Sequence, residues 1–271
     1  MGLRVNTNIA SMTSQRNLSA VTGRLQGNFA RLSSGLRIAS ASDDAAGLGI
    51  SERMRAQIKG FGQAGRNAQD GISMAQTAEG SLNEVSNLLT RMRELAVQSA
   101  NGTLNTADRA VINTEFQALD DEIQRISTDT EFNGISLLDA AQTVAIQVGI
   151  DSGQTIGVNL ADMQSAALGV AALDTTNTTN ANAAITALDA AIDTVSTSRG
   201  TLGAGINRLQ SSYASILNVT ENLSASESRI RDVDVAYETA DLSRNSIMQQ
   251  AATSVLAQAN QQPQLALSLL G

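Results

Sequence analysis

The sequence has no cysteine, no histidine and no tryptophan, and it contains one proline, two tyrosines and four phenylalanines. The absence of cysteine excludes a disulfide framework and a thiol nucleophile, and the absence of histidine excludes a Ser-His-Asp triad. The same two absences remove the ligands of the usual zinc and haem sites. Carboxylate catalysis and metal sites built from oxygen ligands alone remain open.

The formal net charge of −8 is concentrated in the middle of the chain. No basic residue stands between Arg125 and Arg199, a stretch that contains eight acidic residues. Residues 1–42 hold five arginines and no acid, whereas residues 221–244 hold six acids and three arginines. The two ends are therefore electrostatically complementary. An acidic chain with so few aromatic rings is a poor match for nucleic acid, which we do not expect as a partner.

No segment is typical of a membrane span or a cleaved export signal. The first residues, MGLRVNTN, contain no apolar stretch of the kind that a signal peptide needs. No run approaches the roughly 18 apolar residues that cross a bilayer. We therefore expect no membrane association.

Apolar residues on alternating steps of three and four predict three amphipathic helical segments. The longest such seam extends over residues 185–230 and predicts a long helix. Two shorter seams, over 82–96 and 112–126, predict an antiparallel helical hairpin that packs on the long seam. Between them, Gly102 is the predicted stop of the first helix and Thr106 the predicted N-cap of the second.

Residues 143–160 change to an alternating pattern around DSGQT, which predicts one β-hairpin. A lone hairpin is marginally stable in water, so we expect it to lie on the helices. Residues 174–183, DTTNTTNANA, are polar and of low complexity, which indicates a surface tip. Together these patterns predict a mainly α protein: a long antiparallel helical bundle or coiled-coil rod, formed by the N- and C-terminal halves, with one small β-hairpin.

The two terminal segments carry apolar stripes that have no partner in the sequence except each other. The N-terminal stripe is broken, and the C-terminal stripe lies among glutamines. Marginal helices of this kind become ordered on association, because association buries the stripe between copies. The predicted assembly interface consists of Val5, Ile9, Met12, Leu18, Val21, Leu25, Phe29, Leu32, Ile247, Ala251, Val255, Ala259, Leu267 and Leu270.

No catalytic or cofactor motif has the surroundings that its chemistry requires. Residues 60–65 match G-x-G-x-x-G, but helix-like SERMRAQIK precedes them where the dinucleotide fingerprint needs a strand. Asp43 and Asp44 precede an alanine-rich stretch, as at an ordinary helix start. Residues 120–122 are acidic and point to different faces of a helix, which predicts a solvated surface. We therefore expect no catalytic residue, no metal ligand and no cofactor, and we expect that the protein is not an enzyme.

Several stretches resemble bacterial flagellins. They are NTNIASM (6–12), RLSSGLRIASASDDAAGLGISERMRAQIKG (31–60), RNAQDGISMAQTAEGSL (66–82), RMRELAVQSANGT (91–103), EFNGISLL (131–138) and SRIRDVDVAYETADLSRNSIMQQAATSVLAQANQQPQLALSLLG (228–271). The resemblance covers both ends of the chain densely. The short middle is similar to that of flagellins that lack large outer domains.

The resemblance implies a structural subunit that polymerises into the flagellar filament, the helical propeller for swimming. Residues 1–43 and 232–271 would pair as helices of an inner tube and would be disordered before assembly, while residues 44–231 would form a helical rod. The resemblance also implies type III export, without a cleaved signal peptide, to an extracellular filament. The implied partners are further copies of the chain, the flagellar export chaperone, and the cap and hook-junction proteins.

The stretch RMRELAVQ resembles the segment recognised by the vertebrate flagellin-sensing Toll-like receptor. This implies receptor recognition by Arg91, Leu95 and Glu115, residues that protofilament packing also explains. The main alternative function is that of a hook-filament junction protein, which has flagellin-like ends. The intact RMRELAVQSANGT and EFNGISLL favour the filament subunit. A coiled-coil secretion translocator would need an amphipathic membrane segment, which the sequence lacks.

Overall fold

The computed structural model describes residues 7–268, with side chains up to residue 261. Its helices and strands are α1 (Ile9–Ser34), α2 (Ala45–Ser99), α3 (Thr106–Asp129), β1 (Glu131–Phe132), β2 (Ile135–Ser136), β3 (Gln142–Gln147), β4 (Thr155–Leu160), α4 (Thr178–Arg231) and α5 (Val235–Ser268). The predicted fold class, mainly α with a small β-hairpin, is confirmed.

The ends of α1 follow from its sequence. The Asn8 side chain accepts a hydrogen bond from the backbone N–H of Ser11 (3.1 Å), which satisfies a donor that the first turn leaves free. At the other end Gly35 adopts a left-handed conformation with φ 72°, and its N–H donates to the carbonyl of Arg31 (2.8 Å). A short polar residue and a glycine thus define both ends of the helix.

The N-cap of α3 is Asn105 and not the predicted Thr106. The Asn105 amide oxygen accepts from the backbone N–H of Asp108 (2.9 Å), and the Asp108 carboxylate accepts from the backbone N–H of Asn105 (3.3 Å). This reciprocal capping box satisfies two backbone donors at once, which Thr106 in the next position does not do. The preceding helix ends at Ser99, before the predicted stop at Gly102.

The predicted hairpin is confirmed, and a second, smaller one accompanies it. Strands β3 and β4 pair antiparallel from Gln142↔Leu160 to Gln147↔Thr155. Strands β1 and β2 pair around Asn133 and Gly134, both at positive φ (51° and 77°), as a two-residue hairpin turn requires. Two-residue strands are too short to show an alternating pattern, so the second hairpin could not be predicted from the sequence.

The described residues divide into two compact units. The first extends up to Ala56 and resumes at Asn222, and the second is Gln57–Glu221. In the second unit α3 runs antiparallel to α2, because Arg91 pairs with Glu115 while Arg109 donates to the carbonyl of Ser99. The predicted helical hairpin is therefore present.

The core of the second unit consists of large apolar side chains from the helical seams together with buried alanines. The seam residues Leu82, Val85, Leu89, Met92, Phe116, Ile123, Leu188, Val195 and Leu209 are at most 1% exposed. Alanines at 64, 68, 75, 78, 181, 184 and 191 are buried to the same extent. Small side chains let helices approach closely, but they add little to an apolar pattern, so these contacts could not be predicted from the sequence.

A stripe of polar side chains on α3 holds the irregular segment between β4 and α4. The stripe follows the same steps of three and four as a core seam: Asn113, Gln117, Asp120, Gln124 and Ser127. Gln117 donates to the carbonyl of Leu173 (2.8 Å), and the Asn113 side-chain oxygen accepts from the backbone N–H of Thr175 (2.8 Å). Because Thr175 is fully buried and α4 starts at Thr178, the predicted polar tip over 174–183 is a short anchored connection followed by helix.

The expectation that residues 120–122 are all solvated is wrong for Asp120. Its side chain lies under the segment that α3 holds, where the residue is 8% exposed and its Oδ1 atom has no hydrogen-bond partner. Burial raises the pKa of Asp120, with a further rise from the neighbouring Asp121, and the proximity of Ser165 opposes both.

Candidate functional site

Helices α1 and α5 pair antiparallel in the first unit along a seam of residues on steps of three and four. The residues of this terminal seam are buried or half-buried: Ser11, Ser14, Leu18, Val21, Leu25, Asn28 and Leu32 on α1, and Glu238, Leu242, Asn245, Gln249, Ala252, Leu256 and Ala259 on α5. Many of them are polar or small, so the seam buries little apolar surface for its length.

The predicted interface residues fall into two groups in this pair. Leu18, Val21, Leu25, Leu32 and Ala259 belong to the terminal seam, so they face the partner helix of the same chain. The others that the structure describes are on the outer side: Ile9, Met12 and Phe29 are each 58% exposed, Ile247 is 67% and Val255 54% exposed, and Ala251 is also exposed. Val5, Leu270 and the side chain of Leu267 lie outside the described residues.

Two members of the outer group, Phe29 and Ile247, flank a shallow groove between the two helices. Phe29 of α1 and Ile247 of α5 stand on its sides, and Leu25 and Leu242 line it. The exposed rings and branched chains leave apolar surface in contact with water, an arrangement that marks interaction surfaces.

Apart from Ala259, the α5 residues of the terminal seam were not predicted from the sequence. Their pattern is hidden because Asn245 and Gln249 occupy positions where an apolar residue is the usual signal. The stripe that was recognised, which includes Ile247 and Val255, points outward instead. Leu242, Ala252 and Leu256 follow steps of three and four when Asn245 and Gln249 are counted with them. That spacing was the signal from which the seam could have been predicted.

Polar contacts tie the two ends of the pair together. At one end the Asn8 Nδ2 atom donates to the carbonyl of Ala259 (2.7 Å), and the Ser11 hydroxyl donates to Oδ1 of Asn260 (2.7 Å). At the other end Arg31 Nε lies 3.5 Å from Oε1 of the buried Glu238. The basic N-terminal and acidic C-terminal segments therefore meet, as their charges indicate.

A further exposed cluster lies on the second unit. Arg91 Nη2 is 2.8 Å from Glu115 Oε1, and Arg91 Nη1 is 2.9 Å from Glu94 Oε2, with the Arg91 and Glu115 side chains each about half exposed. The hydrogen bond to Glu115, and to a smaller extent the one to Glu94, raises the pKa of the Arg91 guanidinium. Leu95 is 2% exposed and belongs to the core beneath the cluster. The structure thus places Arg91 and Glu115 together at the surface and Leu95 below it.

Within residues 7–268 no helix is long and apolar enough to span a bilayer, and no group of three or more acidic side chains is arranged to hold a metal ion. The fold and its surfaces therefore define a mainly helical protein whose paired terminal helices present apolar side chains outward.

Comparison with known proteins identifies the family. A family model of the bacterial flagellin N-terminal helical region matches residues 5–143, and one of the C-terminal helical region matches residues 185–270. The flagellin of Halalkalibacterium halodurans is 51% identical over 269 residues, which are 98% of this chain and 99% of the relative. The flagellin of Bacillus subtilis is 45% identical, covering 99% of this chain and 100% of the relative.

Further relatives agree. The flagellar filament 33 kDa core protein of Treponema phagedenis is 42% identical over 98% of this chain and 99% of its own length. The crystal structure of Bacillus cereus flagellin superposes with a TM-score of 0.51 at 36% identity, covering 56% of this chain and 88% of that one. A Vibrio parahaemolyticus protein described as flagellar hook-associated has a TM-score of 0.60 but is 16% identical, so it shares the fold alone.

The chain belongs to the bacterial flagellins. It is a structural subunit that polymerises with its own copies into the extracellular flagellar filament, and the flagellins are structural proteins, not enzymes. The alternative of a hook-filament junction protein is not favoured, because the full-length relatives at high identity are flagellins.

Proposed function

We propose that copies of the chain polymerise through the outer apolar side chains of α1 and α5. The observation that supports this most strongly is the exposure of Ile9, Met12, Phe29, Ile247 and Val255 on the outer side of one helix pair. Stacking such pairs removes these side chains from water, at about 25 cal/mol for each Å² of apolar surface. The remaining predicted residues, Val5, Ala251, Leu267 and Leu270, belong to the same proposal, and Leu18, Val21, Leu25, Leu32 and Ala259 support it by holding the pair together.

A charge on the outer face tests this interface. Val255→Asp would place a carboxylate in the apolar contact, so seeded filament growth should stop, while circular dichroism should show an unchanged transition for the second unit. Thr253→Asp, at an exposed position on the opposite flank of α5, is the matched control and should still polymerise. Normal elongation by the Val255→Asp chain, seen by electron microscopy with filament seeds, would exclude this interface.

The same proposal assigns each segment of the chain to a layer of the filament. Residues 1–43 and 232–271 form the inner tube of the filament, and residues 44–231 form the layer outside it. Export proceeds through the flagellar type III channel without cleavage, and the export chaperone, cap and hook-junction proteins are the partners outside the polymer. Mass spectrometry of secreted filaments checks the export step. An intact N-terminus, apart from loss of Met1, is expected, and removal of a longer segment would contradict it.

We further propose that the exposed Arg91–Glu115 pair contributes to recognition by the vertebrate flagellin-sensing Toll-like receptor, with Leu95 supporting the pair from the core. Support comes from the half exposure of both charged side chains above a rigid core. In a reporter-cell assay with monomer, Arg91→Ala should weaken the response. Arg125→Ala, which removes an equally exposed arginine from α3, is the control and should respond normally. An undiminished response to Arg91→Ala would refute this role.

A further inference from the structure

The terminal seam contains two buried asparagines that face each other. Asn28 of α1 is 4% exposed and Asn245 of α5 is 7% exposed, and the Asn245 Nδ2 atom donates to Oδ1 of Asn28 (3.2 Å). Both occupy positions where the heptad pattern calls for an apolar residue. In a helix pair that buries little apolar surface, two amides inside the seam oppose association unless they bond to each other.

The apolar residues of the seam do not by themselves select one alignment of the two helices. Leu18, Leu25 and Leu32 are spaced by one heptad, and so are Ala252 and Ala259. Sliding α1 past α5 by one heptad therefore sets leucine and alanine against similar neighbours. Apolar burial alone leaves such alignments close in free energy.

The asparagines distinguish these alignments. A slip of one heptad sets Asn28 opposite either Ala252 or Glu238, and it separates both amides from each other. Each amide would then be buried without the partner that it has in the observed alignment. The bond between Ser11 and Asn260 adds little discrimination, because water competes with it. At the other end, the Arg31–Glu238 pair and the backbone bonds from Arg37 to Arg231 and from Val233 to Gly35 favour the same register as the asparagines.

We propose that the Asn28–Asn245 hydrogen bond selects the register of the α1–α5 pair along the seam, together with the backbone bridge between Leu36 and Asp232 at its base. By fixing the register it also fixes how Phe29 and Ile247 stand across the outer groove, and that consequence rests on the interface proposed above. A buried asparagine pair that specifies register at some expense of stability is a known device of coiled coils. In this chain the device sits in the helix pair that every subunit must present in the same form.

Disulfide trapping measures the register directly, because the chain has no cysteine of its own. Ser11→Cys with Asn260→Cys reports the observed register, since their side chains are in contact. Ser11→Cys with Thr253→Cys reports a slip of one heptad, because residue 253 precedes residue 260 by seven positions. Each pair is oxidised in dilute monomer and in filaments, and intramolecular products are separated from dimers by non-reducing electrophoresis.

Each cysteine pair is placed in the parent sequence and in an Asn28→Leu/Asn245→Leu background. Leucine is close to asparagine in size, and replacing both amides leaves neither unpaired, so the helices are retained. The parent should give almost only the observed-register product. In the double-leucine background the ratio of observed to slipped product should fall by about tenfold or more. An unchanged ratio in monomer and filament would overturn the proposal, as would failure of the observed-register pair to cross-link in the parent.

Two further variants separate register from general effects. Asn17→Leu/Gln258→Leu changes two exposed amides on the same helices and should leave the ratio unchanged. Adding Val21→Asn and Ala252→Asn to the double-leucine chain moves the asparagine pair one heptad along the seam, in the same alignment, and should restore the ratio. Failure of this rescue would contradict the proposal. The ratio is read within single chains, so it stands even if Val255→Asp shows that the polymer interface lies elsewhere.

Discussion

The two units of the molecule bury apolar surface very differently. In the second unit Val85, Leu89 and Phe116 have no exposed area, and they belong to one continuous core. In the first unit the terminal seam has Leu25 and Ala259 as its fully buried apolar residues, each 7% exposed, while Phe29 and Ile247 face water. A fully buried large side chain stabilises by about 1.5–3 kcal/mol, so the second unit holds itself together. Under the proposed interface, the first unit completes its burial against other copies.

The largest effect should come from the core of the second unit. Phe116→Ala removes a ring that is 0% exposed and leaves a cavity, so the free energy of unfolding of the monomer should fall by about 3–5 kcal/mol in urea. Val111→Ala on the same helix is the matched control, because Val111 is 73% exposed, and it should change stability by no more than about 0.5 kcal/mol. Equal effects of the two substitutions would remove the basis of the comparison.

A cavity in the terminal seam should be visible only in the polymer. Leu25→Ala should leave the main urea transition of the monomer unchanged, because the core that controls it lies in the second unit. The loss of about 2 kcal/mol in the assembled helix pair should raise the monomer concentration that coexists with filaments more than tenfold. Sedimentation of filaments measures that concentration. A large shift of the monomer transition would show that the first unit is stable by itself.

A smaller effect should follow from the buried carboxyl of the second unit. Burial raises the pKa of Asp120 in the folded state above its unfolded value. The protonated carboxyl therefore adds to the free energy of unfolding at low pH, and this contribution is lost as the pH rises through the folded pKa. Asp120→Asn should therefore stabilise the monomer at pH 7 by about 1 kcal/mol, and this gain should disappear near pH 3. The exposed Asp193→Asn is the control. A gain that is independent of pH would contradict this explanation.

The smallest effect concerns the surface pair on α2 and α3. Arg91 and Glu115 are each about half exposed, and exposed ion pairs contribute about 0–1 kcal/mol. Glu115→Gln should therefore lower the free energy of unfolding by less than about 0.5 kcal/mol in 0.15 M salt, as measured by urea titration. A loss similar to that of Phe116→Ala would mean that the pair supports the core.

The sequence predicts the second unit well where its seams consist of large aliphatic residues. The seams over 82–96 and 112–126 and the alternation around 143–160 identify two helices and a hairpin, because spacing is set by backbone geometry alone. Alanine contacts, the hairpin around Asn133 and the burial of Asp120 were not predicted. They depend on which segments come together in space, and neither residue size nor polarity reveals this.

For the candidate site, the sequence identifies the apolar stripe of α1. It does not show which of its residues face α5 and which face outward. Phe29 and Leu25 read as one apolar stripe, although Leu25 faces α5 and Phe29 faces outward. The two positions are four residues apart and point in similar directions from the helix axis. Which of them faces the partner helix can be decided only once the position of that helix is known. Asn28 and Asn245 carry no apolar signal at all, and their pairing depends on an antiparallel alignment that brings distant parts of the chain together.

Hydrogen exchange of the same chain, as dilute monomer and as filament, shows whether the first unit is complete by itself or needs other copies. In the monomer, backbone amides of α1 and α5 should exchange orders of magnitude faster than those of residues 82–96. In the filament the terminal amides should become as protected as the core. Equal protection of both regions in the monomer would contradict the account, because the first unit would then be complete without other copies.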